Sequence, residues 1–195
     1  MAERLTVVAA TANPDKLRDM QQILEGAFTL LPRPAEIPEV IEDADSLAGN
    51  ARLKAAAIVA HTGQAAIADD TGLFVDALDG APGVHSARFA GEDASYGDNV
   101  THMLRQLDGV PLADRTARFS SVVMLMWPDG RSISVQGDTE GIIIEHSRGD
   151  HGFGYDPIFV PNEGDGMTFA QMTADGKHTY SHRGKAIRSL LEQLP

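Results

Sequence analysis

An α/β fold built on a mixed sheet is predicted by three observations. Strand-like apolar runs alternate with helically spaced segments early in the chain. Further strand-like runs then cluster in its middle, which favours mixed rather than purely parallel pairing. And 43% of the 195 residues are hydrophobic, enough for a real core in one large domain with room for two lobes.

The elements follow in order. Leu5 to Ala10 is a short apolar run that reads as a buried strand. Thr11-Ala12-Asn13-Pro14-Asp15 is a polar turn. Lys16 to Leu24 carries helical spacing (Leu17, Met20, Ile23, Leu24) and stops near Gly26. Phe28 to Leu31 is a second strand, and a Pro-rich loop runs to about Asp45. Ser46 can cap a helix to His61, with Gly63 beyond its end. Ala65 to Ala68 is a strand that delivers Asp69 and Asp70. Tyr96 to Leu107 is helical. Arg118 to Trp127, the turn Pro128-Asp129-Gly130 and the alternating Arg131 to Gln136 predict a β-hairpin. Gly141 to Glu145 adds another strand, and Ser181 can cap a last helix through Leu194. The polar stretch from Leu107 to Thr116 is the candidate lobe boundary. No repeat or low-complexity tract interrupts the chain.

Charge and composition exclude whole classes of function. Sixteen Lys and Arg stand against 28 Asp and Glu, a net charge of -12. That field repels nucleic acid and anionic membrane, so a small anionic ligand needs a local cluster of cations or backbone N–H groups. There is no cysteine, which excludes disulfides, zinc-thiolate sites and cysteine nucleophiles and suits a cytoplasmic location. No basic-then-apolar leader opens the chain, and no apolar run approaches the length of a membrane span. A soluble, cytoplasmic protein is expected.

The most informative segment is residues 67 to 88, where an apolar run leads into Asp69 and Asp70, followed by Thr71 and Gly72. Two adjacent carboxylates are costly to bury unless a cation or proton compensates them. A hard divalent metal such as Mg2+ is the usual compensation. The block therefore reads either as a metal and acid/base centre or as a strand closing in an Asp-rich turn.

Four other groupings bear on chemistry. Thr11 to Lys16, a polar turn between strand and helix, is where α/β proteins hold anions on helix N-terminal N–H groups. It lacks the glycines of a Walker loop, and the plainer reading is a helix cap with a solvated lysine. Lys54 lies mid-helix among alanines, so it either snorkels to water or meets a carboxylate such as Glu42 or a phosphate. Gly152-Phe153-Gly154-Tyr155-Asp156-Pro157 permits close backbone approach beside rings that a purine could stack on. Its alternative is an aromatic turn filling the core. Lys177, Ser181, His182, Arg183 and Lys185 gather cations near a helix start, suiting a nucleotide or merely a solvated helix end. Arg183 could donate to O6 and N7 of a 6-oxo purine, the geometry of guanine recognition. His61, His85, His102, His146 and His151 have no ligand-like spacing, and no nucleophile elbow is present.

Taken together, Thr-Ala-Asn-Pro-Asp-Lys, the block from Ala68 to Arg88, Gly-Phe-Gly-Tyr-Asp-Pro-Ile-Phe and Ser-His-Arg-Gly-Lys-Ala resemble the inosine triphosphate pyrophosphatase family, in its order and over nearly the whole chain. The resemblance implies a single nucleotide pyrophosphatase domain over residues 1–195. It would have a long central mixed β-sheet flanked by helices and two lobes with the active-site cleft between them, usually as a homodimer. It implies Mg2+-dependent hydrolysis of ITP, dITP and XTP to the monophosphate and pyrophosphate. Matched by position, Thr11, Ala12, Asn13, Pro14, Asp15 and Lys16 would hold phosphates. Glu42 and Asp70 would bind Mg2+, and Asp70 or Asp69 would be the base, with Lys54 beside them. Thr71 would contact substrate. Phe153, Gly154, Tyr155 and Asp156 would line the base pocket, and Lys177, His182 and Arg183 would complete the nucleotide site. One departure stands out. The family commonly reads Thr-Phe-x-Glu-Asn-Ala where this chain has Ser46-Leu47-Ala48-Gly49-Asn50-Ala51, so Gly49 removes a carboxylate. A pyrimidine nucleotide pyrophosphatase acting on dUTP-like substrates and a non-catalytic nucleotide sensor are the alternatives.

Overall fold

The computed structural model describes residues 4–194. The first half follows the predicted order. Strand β1 (Leu5–Ala9) leads to helix α1 (Pro14–Ile23). This helix starts earlier than its apolar spacing suggests, because Asn13 caps it and Pro14 occupies a first-turn position where a missing N–H costs nothing. Strand β2 (Phe28–Leu31) and helix α2 (Leu47–Thr62) follow, with the Ser46 hydroxyl accepting from the Gly49 N–H and Gly63 closing the helix in the left-handed region.

Strand β3 (Ala66–Val75) corrects the reading most relevant to function. Asp69 and Asp70 lie inside the strand rather than at its end, and no Asp-rich turn forms there. Beyond the carboxylates Thr71, Phe74 and Val75 are good strand formers. The short strand β4 (Pro82–Gly83) pairs antiparallel with Leu73 and Phe74. The Ser86 hydroxyl also accepts from the Leu73 N–H at 2.8 Å and donates to the Gly83 carbonyl at 2.6 Å.

Helix α3 (Tyr96–Gln106) is opened by a reciprocal capping box of Ser95 and Asp98. Strands β5 (Thr116–Met126) and β6 (Ser132–Ile143) form the expected hairpin. The two short strands expected at 131–136 and 141–145 are a single strand. Its buried face carries Val135, Gly137, Thr139, Gly141 and Ile143, and the two glycines and the threonine among them hide the alternation from a hydrophobicity pattern. Strand β7 (Phe159–Pro161), helix α4 (Ala174–Tyr180) and helix α5 (His182–Glu192) complete the chain. Helix α4 lies outside the expected elements, because its short sequence carries no apolar stripe. Ser181 does cap α5, accepting from the Gly184 N–H at 3.1 Å.

Among the described residues seven strands form one mixed sheet in the order β2-β1-β3-β5-β6-β7, with β4 on β3. β1 runs parallel to β2 and β3, whereas β6 and β7 are antiparallel.

The chain divides into two compact units. One holds the chain up to Asp70, Ser121–Gly137 and the residues from Lys185, and the other holds Thr71–Ser120 and Asp138–Gly184. The crossings fall within strands and at helix α5, so the stretch 107–116 is no boundary. Each unit has its own core. Val7, Met20, Leu24, Ile67, Leu125, Ile187 and Leu190 pack in the first. Leu73, Met103, Phe119, Ile158, Phe159 and Phe169 pack in the second. Among the described residues no helix is long and apolar enough to cross a membrane.

Candidate active site

In the first unit the N-terminus of α1 is built by its own sequence. The Asn13 Oδ1 accepts from the N–H groups of Asp15 (2.9 Å) and Lys16 (3.2 Å), and the Thr11 hydroxyl accepts from the Asn13 N–H (3.1 Å). Asp15 pairs with the exposed Arg18 at 2.9 Å, while Ala12 and Pro14 are exposed. Lys16 is not a solvated lysine. Its Nζ lies 3.4 Å from Asp69 Oδ2, and the Asp69 side chain is wholly buried.

Lys54 organises the other carboxylates. Its Nζ donates to Asp70 Oδ1 at 2.8 Å and to Glu42 Oε2 at 3.1 Å. Lys54 and Asp70 are 7% and 5% exposed, which sets aside the reading of Lys54 as solvated. Burial pushes the ammonium towards losing its proton, but the charges of Asp70, Asp69 and Glu42 outweigh this and hold it above the ordinary lysine value. Burial pushes the Asp70 carboxyl above the ordinary carboxylate range, against the pull of Lys54 and Lys16. A buried carboxylate with a raised proton affinity, held by a lysine that keeps its charge, is the setting of a general base.

One residue of this group does not stand out in the sequence. The buried Asn50 Nδ2 donates to Asp70 Oδ2 at 3.3 Å, and its Oδ1 accepts from the Ala44 N–H at 3.0 Å. It precedes Lys54 by four residues, so the two share a helix face; that spacing and its match to the asparagine of Thr-Phe-x-Glu-Asn-Ala are the available signals.

The donor set fits a hard cation. Glu42 and Asp70 each place a carboxylate oxygen at hydrogen-bond distance from the same Lys54 Nζ. No group of three or more metal-ligating side chains is gathered among the described residues. Mg2+ is ordinarily held by one or two carboxylates with water and substrate phosphates completing its shell, which two convergent oxygens match.

In the second unit Lys177, His182 and Arg183 are 5%, 3% and 2% exposed, not a solvated basic helix end. Lys177 Nζ bonds the Asp156 carboxylate and lies 4.6 Å from the centre of the Phe153 ring; the Arg183 guanidinium lies 5.6 Å from it. Arg183 also donates to the Thr71 hydroxyl at 3.4 Å. His182 stacks on Phe119, with ring centres 4.5 Å apart.

Asp156 also accepts from the Phe153 N–H at 2.8 Å. This closed turn needs Gly152 and Gly154, both at positive φ; a Cβ on Gly152 would lie 2.0 Å from Asp156 Oδ2. Tyr155 turns the other way. Its ring belongs to the core and its hydroxyl donates to the Ser86 carbonyl at 2.9 Å, with burial pushing the phenol well above its usual value. Phe153 is therefore the half-buried ring of this segment. His85, His146 and His151 are exposed and His102 stands edge-on to Phe89.

Known proteins resemble this chain in sequence and fold. The dITP/XTP pyrophosphatase of Geobacter sulfurreducens is 44% identical over 191 residues, covering 96% of each chain. That of Shouchella clausii is 44% identical over 192 residues, again covering 96% of each. A HAM1 protein from Coxiella burnetii superposes with a TM-score of 0.86 at 35% identity, covering 96% of this chain and 97% of that one. The structure of a nucleoside-triphosphatase / dITP/XTP pyrophosphatase from Mycobacterium abscessus gives 0.75 at 41% identity, covering 96% and 99%. A sequence model of the Ham1 family matches residues 7–193. With fold, length and sequence in agreement, the chain belongs to the Ham1 family.

Proposed function

We propose that this chain hydrolyses deaminated purine nucleoside triphosphates, ITP, dITP and XTP, to the nucleoside monophosphate and pyrophosphate. The observation that carries the reading is the array of half-exposed Glu42 with buried Lys54 and Asp70, found in a chain whose relatives are named dITP/XTP pyrophosphatases.

A triphosphate brings about four negative charges to a protein of net charge -12. Lys16, Lys54 and the N–H groups at the start of α1 offset them locally. Thr11 to Lys16 bind the phosphates. Asp70, with Asp69 beside it, takes the proton from the attacking water. A new bond forms from that oxygen to the α-phosphorus, the bond to the bridging β-phosphate oxygen breaks, and pyrophosphate leaves with its electrons. Glu42 and Asp70 would hold Mg2+, which supplies neutralisation of phosphate charge and a more acidic water. Lys54 keeps the carboxylates oriented and, being charged, supports the phosphates as well.

Phe153 supplies a face for the base, and Arg183 donates to O6. The Asp156–Lys177 pair holds the turn that presents Phe153. A donor at O6 rejects adenine, whose amino group would leave buried hydrogen-bonding groups unpaired. GTP also carries O6, so its exclusion needs contacts at C2. The same reading carries one nucleotide pyrophosphatase domain, a homodimer, Mg2+ as cofactor, a cytoplasmic location and no nucleic-acid or membrane partner.

The test is pyrophosphate release from ITP, XTP, dUTP, ATP and GTP, with Mg2+ and with EDTA. Fast Mg2+-dependent release from ITP and XTP is expected. Release from dUTP alone would favour the pyrimidine enzyme, and binding without release would favour a nucleotide sensor.

A further inference from the structure

We infer that Asn50 and Gly49 are positioning residues that seat the Glu42 loop against Asp70; the functional consequence rests on the proposed pyrophosphatase activity. Between Leu31 and Leu47 the chain forms no helix or strand, so Glu42 is carried by a segment without a backbone ladder. Two buried side chains of α2 tie down the part that carries Glu42. Lys54 holds the Glu42 carboxylate, and Asn50 holds the Ala44 backbone.

The chemistry of Asn50 leaves it one orientation. The Ala44 N–H needs an acceptor, so the amide oxygen faces Ala44 and the amide nitrogen faces Asp70 Oδ2. Asp70 then has one oxygen on Asn50 and the other on Lys54. A closed circuit results: Asp70 to Asn50, Asn50 to Ala44, along the chain to Glu42, and through Lys54 back to Asp70. Asn50 is 2% exposed, so its amide does not trade these partners for bulk water.

Gly49 makes the circuit sterically attainable. A Cβ at this position would stand 2.5 Å from the Ala44 Cβ and 3.1 Å from the Ser46 Oγ. Any side chain would push Ala44 away from Asn50. A glycine in a first helical turn ordinarily gains stability on replacement by alanine; at Gly49 the close approach reverses that sign. The carboxylate missing at this position is thus the counterpart of a tightly seated loop.

The test compares wild type with Asn50→Leu, Asn50→Asp and Gly49→Ala. Two readouts are taken: amide exchange of Ala44 in the metal-free protein, and the Mg2+ concentration giving half-maximal pyrophosphate release from ITP. Asn50→Leu should speed Ala44 exchange about tenfold, the weight of one hydrogen bond. The Mg2+ requirement should rise and kcat fall, with KM for ITP moving less than about threefold. Asn50→Asp keeps the acceptor for Ala44 but turns a second carboxylate oxygen to Asp70 Oδ2, and should retain more Ala44 protection than Asn50→Leu. Gly49→Ala, with the amide intact, should repeat the Asn50→Leu pattern and carries the test if that variant does not fold. Unchanged Ala44 exchange in Asn50→Leu and Gly49→Ala, or an unchanged Mg2+ requirement once Ala44 is released, overturns the inference. A wild type that releases no pyrophosphate overturns the functional reading alone, since Ala44 exchange decides the seat independently.

Discussion

Lys54 Nζ lies 2.8 Å from Asp70 Oδ1, with both side chains more than nine-tenths buried. The pair is tight because Lys54 is the nearest cation to Asp70 and also serves Glu42. Removing one partner of such a pair leaves the other buried and uncompensated. Lys54→Met should therefore cost about 3–5 kcal/mol of stability, read as a lower urea midpoint, and reduce kcat by at least about 100-fold. A midpoint within error of wild type would mean that the lysine is not compensating these carboxylates.

The direction of the Lys54 shift has a consequence at high pH. Its folded value lies above 10.5, so the folded protein holds the proton more tightly than the unfolded chain does. That stabilisation is fully present below 10.5 and is lost as pH rises through the folded value. Asp70 has the same sign in acid. Its folded value lies above 3.8, so its ionisation on rising through that window lowers stability. Urea midpoints of wild type minus Lys54→Met should be flat from neutral pH to about 10 and decline above it. A difference that grows with pH approaching 10.5 would mean that the lysine proton is held more weakly in the folded state.

Arg183 is the expected determinant at the purine 6-position. Its guanidinium lies over Phe153 and is fixed by Thr71. A bidentate arginine contact to a 6-oxo purine is worth about 1–3 kcal/mol of discrimination. Arg183→Ala should reduce the ITP-over-ATP ratio of kcat/KM by about 10- to 100-fold. Arg183→Lys should not restore it, because an ammonium lacks the planar fork. An unchanged ratio in Arg183→Ala would remove the assigned role.

Local signals make most of the first half legible. Ser46 before an alanine-rich helix and Gly63 after it mark α2 within a residue or two, because caps act through the nearest few groups. The Asp69-Asp70 pair stands out in the sequence, yet its place inside β3 does not. Aspartates and glycine argue for a turn locally, while the pairing of Leu73 and Phe74 with β4 is a tertiary choice. Strand β6 reads as two pieces for a related reason: its buried face is lined by glycines and threonine, which a hydrophobicity pattern cannot see. Asn50 escapes notice because a polar residue in a first helical turn looks like any other. Its position one turn before Lys54 and its match to the asparagine of Thr-Phe-x-Glu-Asn-Ala are what betray it. The core placement of Tyr155 is equally hidden, since sequence does not say which of two neighbouring aromatics turns inward.

The most direct test is Asp70→Asn, assayed for turnover of ITP and, in parallel, for ITP binding by calorimetry in Mg2+. The amide keeps the shape and a hydrogen-bond acceptor for Lys54 but cannot take a proton from water. A fall in kcat of about 100- to 10,000-fold, the usual worth of a general base, is expected, with substantial nucleotide binding retained. Turnover close to wild type would show that the base is not Asp70 and would contradict a central catalytic role for the buried Lys54–Asp70 pair.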